Sequence, residues 1–173
     1  MLKALLSTIF STGFVIATVV AVNAQSDSGI GNVSLMTTEG ESAGLATLTE
    51  TPNGVLITAD LKNLSVGEHA FHIHETGKCE PDFSAAGGHF APDGKEHGFS
   101  NPAGYHAGDM PNIFAASDGT AKVHVFNTRI TLGDGKGSIF DEDGSALVIH
   151  ADPDSYLKDA LAGDRVACGV IMK

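Results

Sequence analysis

From Ile30 onward the chain reads in short runs in which apolar and polar residues alternate with a period of two, separated by glycine, Asn-Gly and Asp-Gly. The runs are "GNVSLMTT", "GLATLTE", "NGVLITADL", "EHAFHIHE", "DGTAKVHVFN", "GSALVIHA" and "RVACGVIMK". Successive side chains of a strand lie on opposite faces, so each run predicts one strand with an apolar and a polar side. Pro52-Asn53-Gly54 predicts a hairpin turn, and Asp118-Gly119 and Asp143-Gly144 each open a further strand. Nothing in this region sustains a helical stripe. The pattern predicts an all-β domain, an antiparallel Greek-key β-sandwich or flattened barrel of about eight strands.

Two stretches break the alternation. Thr76 to Ala115 is rich in Gly, Pro, His and Asp, and Ala151 to Asp164 is a shorter polar loop with one helical turn expected at Ser155 to Ala162. A compact domain seldom carries a long structureless loop without a functional or stabilising reason, so both are read as functional loops. Within "FHIH", Phe71 and Ile73 are expected in the core while His72 and His74 project together from the other face. "ALVIHAD" likewise buries Leu147 and Ile149 and sends His150 out. His72 and His74 alone would pass for two ordinary exposed strand histidines. His89, His97, His106 and Asp109 in the long loop change that, because six imidazoles and a carboxylate supply nitrogen and oxygen ligands for two borderline metals. Nitrogen-rich sets suit copper and zinc, and a tetrahedral set that includes Asp suits zinc.

The first 24 residues are of another kind. A basic start at Lys3, an almost wholly apolar Ala4 to Val22 and the small residues around Ala24 predict a cleaved secretory signal over 1–24, followed by one domain over 25–173. An uncleaved anchor is the alternative, weakened by Ser7, Thr8, Ser11, Thr12 and Gly13. Either way the domain is expected to be periplasmic or otherwise exported, and after cleavage no membrane contact is expected. Cleavage removes a single charge, Lys3, and moves the formal net charge from −11 to −12. Nucleic acid is thereby excluded as a partner, and an anionic substrate needs a local field opposed to the global one. Cys79 and Cys168, an even pair in an oxidising compartment, predict a disulfide, with two buried free thiols as the alternative.

Taken in order, "NVSLMTTEG", "HAFHIHETGKCEPDFSAAGGHF", "HGFSNPAGYHAGDMPNI", "GSALVIHADPD" and "GDRVACGVI" resemble the copper/zinc superoxide dismutases of the exported bacterial type over nearly all of the mature chain. The resemblance implies dismutation of superoxide to dioxygen and hydrogen peroxide by alternate reduction and oxidation of a histidine-bound copper. It assigns His72, His74, His89 and His150 to copper, and His89, His97, His106 and Asp109 to a structural zinc, with His89 bridging the two. By the same resemblance Asp154 orients one ligand of each metal, and Arg165 stands beside the copper to receive the small anion. Family relatives include dimers and monomers, which leaves a homodimer open.

Some positions stand outside this set. His69 is expected to pack and hydrogen-bond, His124 to lie on a strand surface, and Asp141-Glu142-Asp143 to form a solvated turn. Only 14 residues separate His150 from Arg165, fewer than in the animal enzymes and without their acidic pair and lysine, so Lys158 or Lys95 is expected to supply positive field instead. Ala91 stands where many relatives carry asparagine. A cupin would need a glutamate where Lys78 and Cys79 stand. A non-catalytic metal store would keep the ligands but have no use for Arg165.

Overall fold

A computed structural model describes residues 29–173, and the expected signal segment lies outside the described residues. Among the described residues nine strands form: β1 (Ile30–Thr37), β2 (Ser42–Thr51), β3 (Gly54–Leu61), β4 (Gly67–His69), β5 (Phe71–His74), β6 (Ile113–Ala115), β7 (Ala121–Asn127), β8 (Ala146–His150) and β9 (Arg165–Val170). Seven of them make one antiparallel sheet in the order β5-β8-β9-β1-β2-β3-β7, and β4 pairs with β6 in a second, small sheet. The all-β expectation holds, and each alternating run becomes strand. β1 shows the cause most plainly, with exposed and buried residues in strict alternation along its length.

The strand count differs from the sequence pattern at two places. The run "EHAFHIHE" is broken at Ala70, whose amide donates to the Asp152 carbonyl at 2.9 Å and so leaves the ladder. β6 is three residues long, too short for alternation to be read, and lies at the end of the stretch expected to be loop. No helix forms at Ser155 to Ala162. Tyr156 and Leu161 have φ of 60° and 57°, a left-handed backbone that no helix contains.

The core lies inside the curled sheet. Phe71 and Ile73 of β5 meet Leu147 and Ile149 of β8, together with Leu35, Leu48, Ile57, Met110 and Ile139, all fully buried. A smaller apolar cluster of Ala86, Ala146, Val148 and Cys168 forms on the other face of β8 and β9. Val148 is therefore buried, although alternation along β8 puts it on the same side as His150, opposite Leu147 and Ile149.

β5 is an edge strand of the large sheet, and the long loop closes that edge. Ile73 donates to the Gly108 carbonyl at 2.9 Å, Phe90 donates to the Ile73 carbonyl at 2.9 Å, and Gly108 donates to the Phe90 carbonyl at 2.8 Å. Gly108 is required here by close approach, since a Cβ would sit 2.2 Å from the Ile73 carbonyl oxygen. The loop thus satisfies backbone groups that an open edge would expose. In doing so it sets Asp109 opposite His72 and His89 opposite His74. That placement is what brings the histidines of strand and loop together.

The two cysteines are joined, Cys79 to Cys168, with their Cα atoms 5.9 Å apart. The bond fixes the start of the long loop to β9. A 3-10 turn, Phe83–Ala86, comes next along the loop and packs against the same small cluster. Asp82 caps this turn by accepting from the Ser84 amide at 2.9 Å.

Candidate metal centre

His72 and His74 lie two residues apart on β5 and share a face, as the sequence pattern requires. They are not at an outer surface. Both are fully buried, because the long loop and the Ala151 to Asp164 loop cover them. His150 joins them from the end of β8, its Nε2 3.4 Å from that of His74. His89 comes from the long loop, and its ring centroid lies 4.0 Å from that of His72 and 4.9 Å from that of His74.

Two sets of donor atoms result, each with its atoms within 4.8 Å of one another: His72, His74, His89 and His150, and His89, His97, His106 and Asp109. His89 is common to both. The two groups contain the same residues that the resemblance names for copper and for zinc. The first set is all nitrogen and the second is three nitrogens with one carboxylate, donor chemistries that suit copper and zinc respectively.

The ring orientations test whether metals fit. His72 Nε2 lies 2.7 Å from Asp154 Oδ2, His97 Nε2 lies 3.0 Å from the same carboxylate, and His74 Nδ1 lies 3.0 Å from the Gly87 carbonyl. One ring nitrogen of each is thereby engaged from outside the set, which fixes the ring and leaves the other nitrogen turned inward, the arrangement usual around protein-bound metals. One inward nitrogen, His72 Nδ1, is buried without any hydrogen-bond partner, while His106 Nδ1 lies 3.3 Å from Asp109 Oδ1 within its own set. A buried orphan of this kind is costly unless a ligand completes it, and it stands in the first set. The residues fit a pair of metal ions.

The electrostatics agree. Burial, with repulsion from His89 next, pushes the His74 imidazole down to about 2, and burial with repulsion from His72 pushes His150 down to about 3. Burial lowers His89 to about 4 even though Asp109 pulls it upward. All three are neutral at ordinary pH, the form that binds metal. His97 goes the other way: burial lowers it, but hydrogen bonds to Asp109 and Asp154 and their charge outweigh this and raise it to about 9. Burial raises Asp109, but His106, His89, His97 and the Gly98 amide overcome that and hold its carboxyl far below the usual range.

One consequence concerns the metal-stripped protein. His74, His89 and His150 stay neutral in the fold where the unfolded chain, titrating near the ordinary imidazole value of 6.5, takes up protons. Stability is expected to fall as pH drops below about 6.5, by about 1.4 kcal/mol per pH unit for each proton gained on unfolding. His97 does not offset this, because below about 6.5 it is protonated in both states; its contribution is full there and is lost only as pH rises through about 9. Denaturant titrations of chelated protein between about pH 7 and pH 5 check the expectation, and a flat profile would contradict it.

Arg165 lies beside His150 at the start of β9, paired with it across the ladder. Its guanidinium is half-buried and donates to the Phe83 carbonyl at 2.5 Å and the Gly87 carbonyl at 2.6 Å. Its charge reaches the first set, where it helps to lower both His74 and His150. Lys158 is exposed and bound to Glu96 at 2.9 Å, which offsets the field expected from it. His69 is buried, with Nδ1 2.7 Å from the His150 carbonyl and Nε2 2.7 Å from that of Ser65, so it packs and hydrogen-bonds as expected. His124 is exposed on β7, and Asp141, Glu142 and Asp143 are exposed in a turn.

Asn112 is not marked by the sequence. Its Nδ2 donates to the Asp154 carbonyl at 3.0 Å, and its Oδ1 accepts from the Asp154 amide at 2.8 Å. Its own amide donates to the Tyr156 hydroxyl at 2.6 Å. Asn112 therefore holds the residue whose carboxylate holds His72 and His97. No spacing or motif announces such a bond, because it is made to backbone atoms 42 residues away.

Comparison with known proteins gives one consistent result. Residues 42–171 match the sequence model of the family described as Copper/zinc superoxide dismutase (SODC). A protein named "Superoxide dismutase [Cu-Zn] 2" from Aquifex aeolicus (strain VF5) is 52% identical over 145 residues, which cover 81% of this chain and 85% of that one. The "Superoxide dismutase [Cu-Zn]" of Caulobacter vibrioides (strain ATCC 19089 / CIP 103742 / CB 15) is 45% identical over 139 residues, covering 77% and 80%. Among solved structures, a SOD-like protein from Bacillus subtilis superposes with a TM-score of 0.77 at 40% identity, covering 80% of this chain and 96% of that one.

Proposed function

We propose roles for the individual site residues from this premise: the chain belongs to the copper/zinc superoxide dismutase family, and it is an enzyme that converts superoxide to dioxygen and hydrogen peroxide with copper and zinc as cofactors. In our reading His72, His74, His89 and His150 hold the copper, and His89, His97, His106 and Asp109 hold the zinc. The observation that carries it is the position of His89, whose single ring belongs to both sets of converging donors. Copper held there supplies one-electron transfer in either direction, while zinc supplies charge without redox change.

The chain's own residues do the rest. Arg165, permanently charged, offers its fork to an anion arriving near His150, and its two bonds to carbonyls keep the guanidinium from swinging away. His89 Nδ1 turns to Asp109 at 2.9 Å, so Nε2 is the atom left to face the first set. That nitrogen would be the copper ligand, and only when not coordinated would it carry one of the two protons, drawn from solvent, that peroxide formation consumes. Asp154, accepting from His72 and His97, keeps both rings in register. Burial of these imidazoles limits access to small species.

Export of a domain spanning 25–173 after removal of 1–24 is part of this proposal. It is supported by the disulfide, a bond that persists in oxidising compartments.

The test is metal content together with turnover. Purified mature protein is expected to carry one copper and one zinc per chain by emission spectrometry and to accelerate superoxide decay catalytically in stopped flow. Chelation should abolish the activity, and return of both ions should restore it. Fully loaded protein that leaves superoxide decay unchanged would instead be a metal store.

A further inference from the structure

The Gly87–Gly88 peptide is held at both ends. Its carbonyl, from Gly87, accepts from His74 Nδ1 at 3.0 Å and from Arg165 Nη2 at 2.6 Å. Its amide, from Gly88, donates to the Glu75 carboxylate at 2.8 Å. A peptide unit is planar, so fixing the direction of the N–H fixes that of the C=O. Neither glycine has a side chain to resist rotation of that plane. Gly87 has φ of 74°, and a Cβ there would lie 2.9 Å from Glu75 Cγ and Oε1, so the carboxylate is packed directly against the unit it bonds. Glu75 also donates its own amide to the Gly88 carbonyl at 2.9 Å.

Glu75 sits directly after His74 in the chain and is exposed. Among the described residues it forms no ion pair, although Lys122, Arg129, Lys136 and Lys158 all do. Its side-chain hydrogen bond goes to the Gly88 amide. We propose that Glu75 is a positioning residue, whose carboxylate latches the Gly87–Gly88 peptide plane and thereby aims the Gly87 carbonyl at His74 and Arg165. The inference rests on the reading of Arg165 as the anion-binding group.

The latch and the simple field of the carboxylate act in opposite directions. An exposed negative charge near an anion's route repels the anion, so removing it by field alone should tighten anion binding. A latch that is lost should loosen it, because the guanidinium then keeps only the Phe83 carbonyl as a fixed partner. Glu75→Ala removes charge and acceptor together, whereas Glu75→Gln removes the charge and keeps an oxygen that accepts from the Gly88 amide.

The probe is azide, a small monovalent anion, titrated against copper- and zinc-loaded full-length mature protein, with Arg165→Ala measured alongside. Glu75→Ala is expected to weaken azide binding roughly three- to tenfold at unchanged metal content, while Glu75→Gln binds as tightly as the parent or tighter. Equal shifts in the two Glu75 variants, or unchanged or tighter binding in Glu75→Ala while Arg165→Ala weakens it, would overturn the inference alone. Failure of Glu75→Ala to take up both metals would also overturn it, marking a purely structural residue. Unchanged azide affinity in Arg165→Ala would bring down the reading of Arg165 and this inference with it.

Discussion

Replacing Arg165 with alanine is expected to lower kcat/KM for superoxide by roughly one to two orders of magnitude while copper and zinc stay at one each per chain. The size reflects the charge balance. The whole sequence carries a formal net charge of −11, so an arriving superoxide meets overall repulsion that only a local cation reverses. Arg165 is proposed as that cation, since its charge reaches His74 and His150 of the first histidine set, whereas Lys158 is already bound to Glu96. None of the four donors of the first set is lost in the variant, which is why metal should remain. Activity measured across a salt series is the decisive readout. The parent should slow as salt screens the attraction, and the variant should respond less. Loss of copper from the variant would instead make Arg165 a residue that holds the loop.

The double substitution Cys79→Ser and Cys168→Ser is expected to cost roughly 2–5 kcal/mol in denaturant unfolding. The bond spans 89 residues of chain, and on the chain-entropy account long loops constrain the unfolded state most. A second effect is local. The segment after Cys79 carries Phe83 and Gly87, whose carbonyls hold the Arg165 guanidinium, and β9 carries both Arg165 and Cys168. The disulfide therefore closes a small circuit of chain around the proposed anion site. Activity of the fully metallated serine variant should fall further than its remaining folded fraction explains. Activity that tracks the folded fraction alone would show the circuit to be redundant.

Much of the fold and of the metal centre is legible in the sequence. Period-two alternation locates seven of the strands because one face of each is buried in a common core, as β1 displays residue by residue. The histidines proposed as ligands are legible as an ordered series resembling a known family. Their burial is not. His72 and His74 are covered because Asp109 and His89 dock along β5, and those contacts join segments far apart in sequence. The expected helical turn after Ser155 fails for a local reason. Ser155 makes its own arrangement of bonds, amide to the Ala160 carbonyl and hydroxyl to the Asp159 carbonyl, around two left-handed residues. The carbonyls of Phe83 and Gly87 leave no mark at all, since every residue has one. Asn112 likewise looks like any loop asparagine until Asp154 is seen against it.

Asp154 joins His72 to His97, one from each donor set, just as His89 belongs to both. With the metals assigned as proposed, the sites are coupled through two separate residues of the protein rather than one. Thermodynamic reciprocity then requires that whatever factor zinc contributes to copper affinity, copper returns to zinc. Loading is consequently independent of order in its end point, and whichever ion binds first changes the affinity for the second by the same factor.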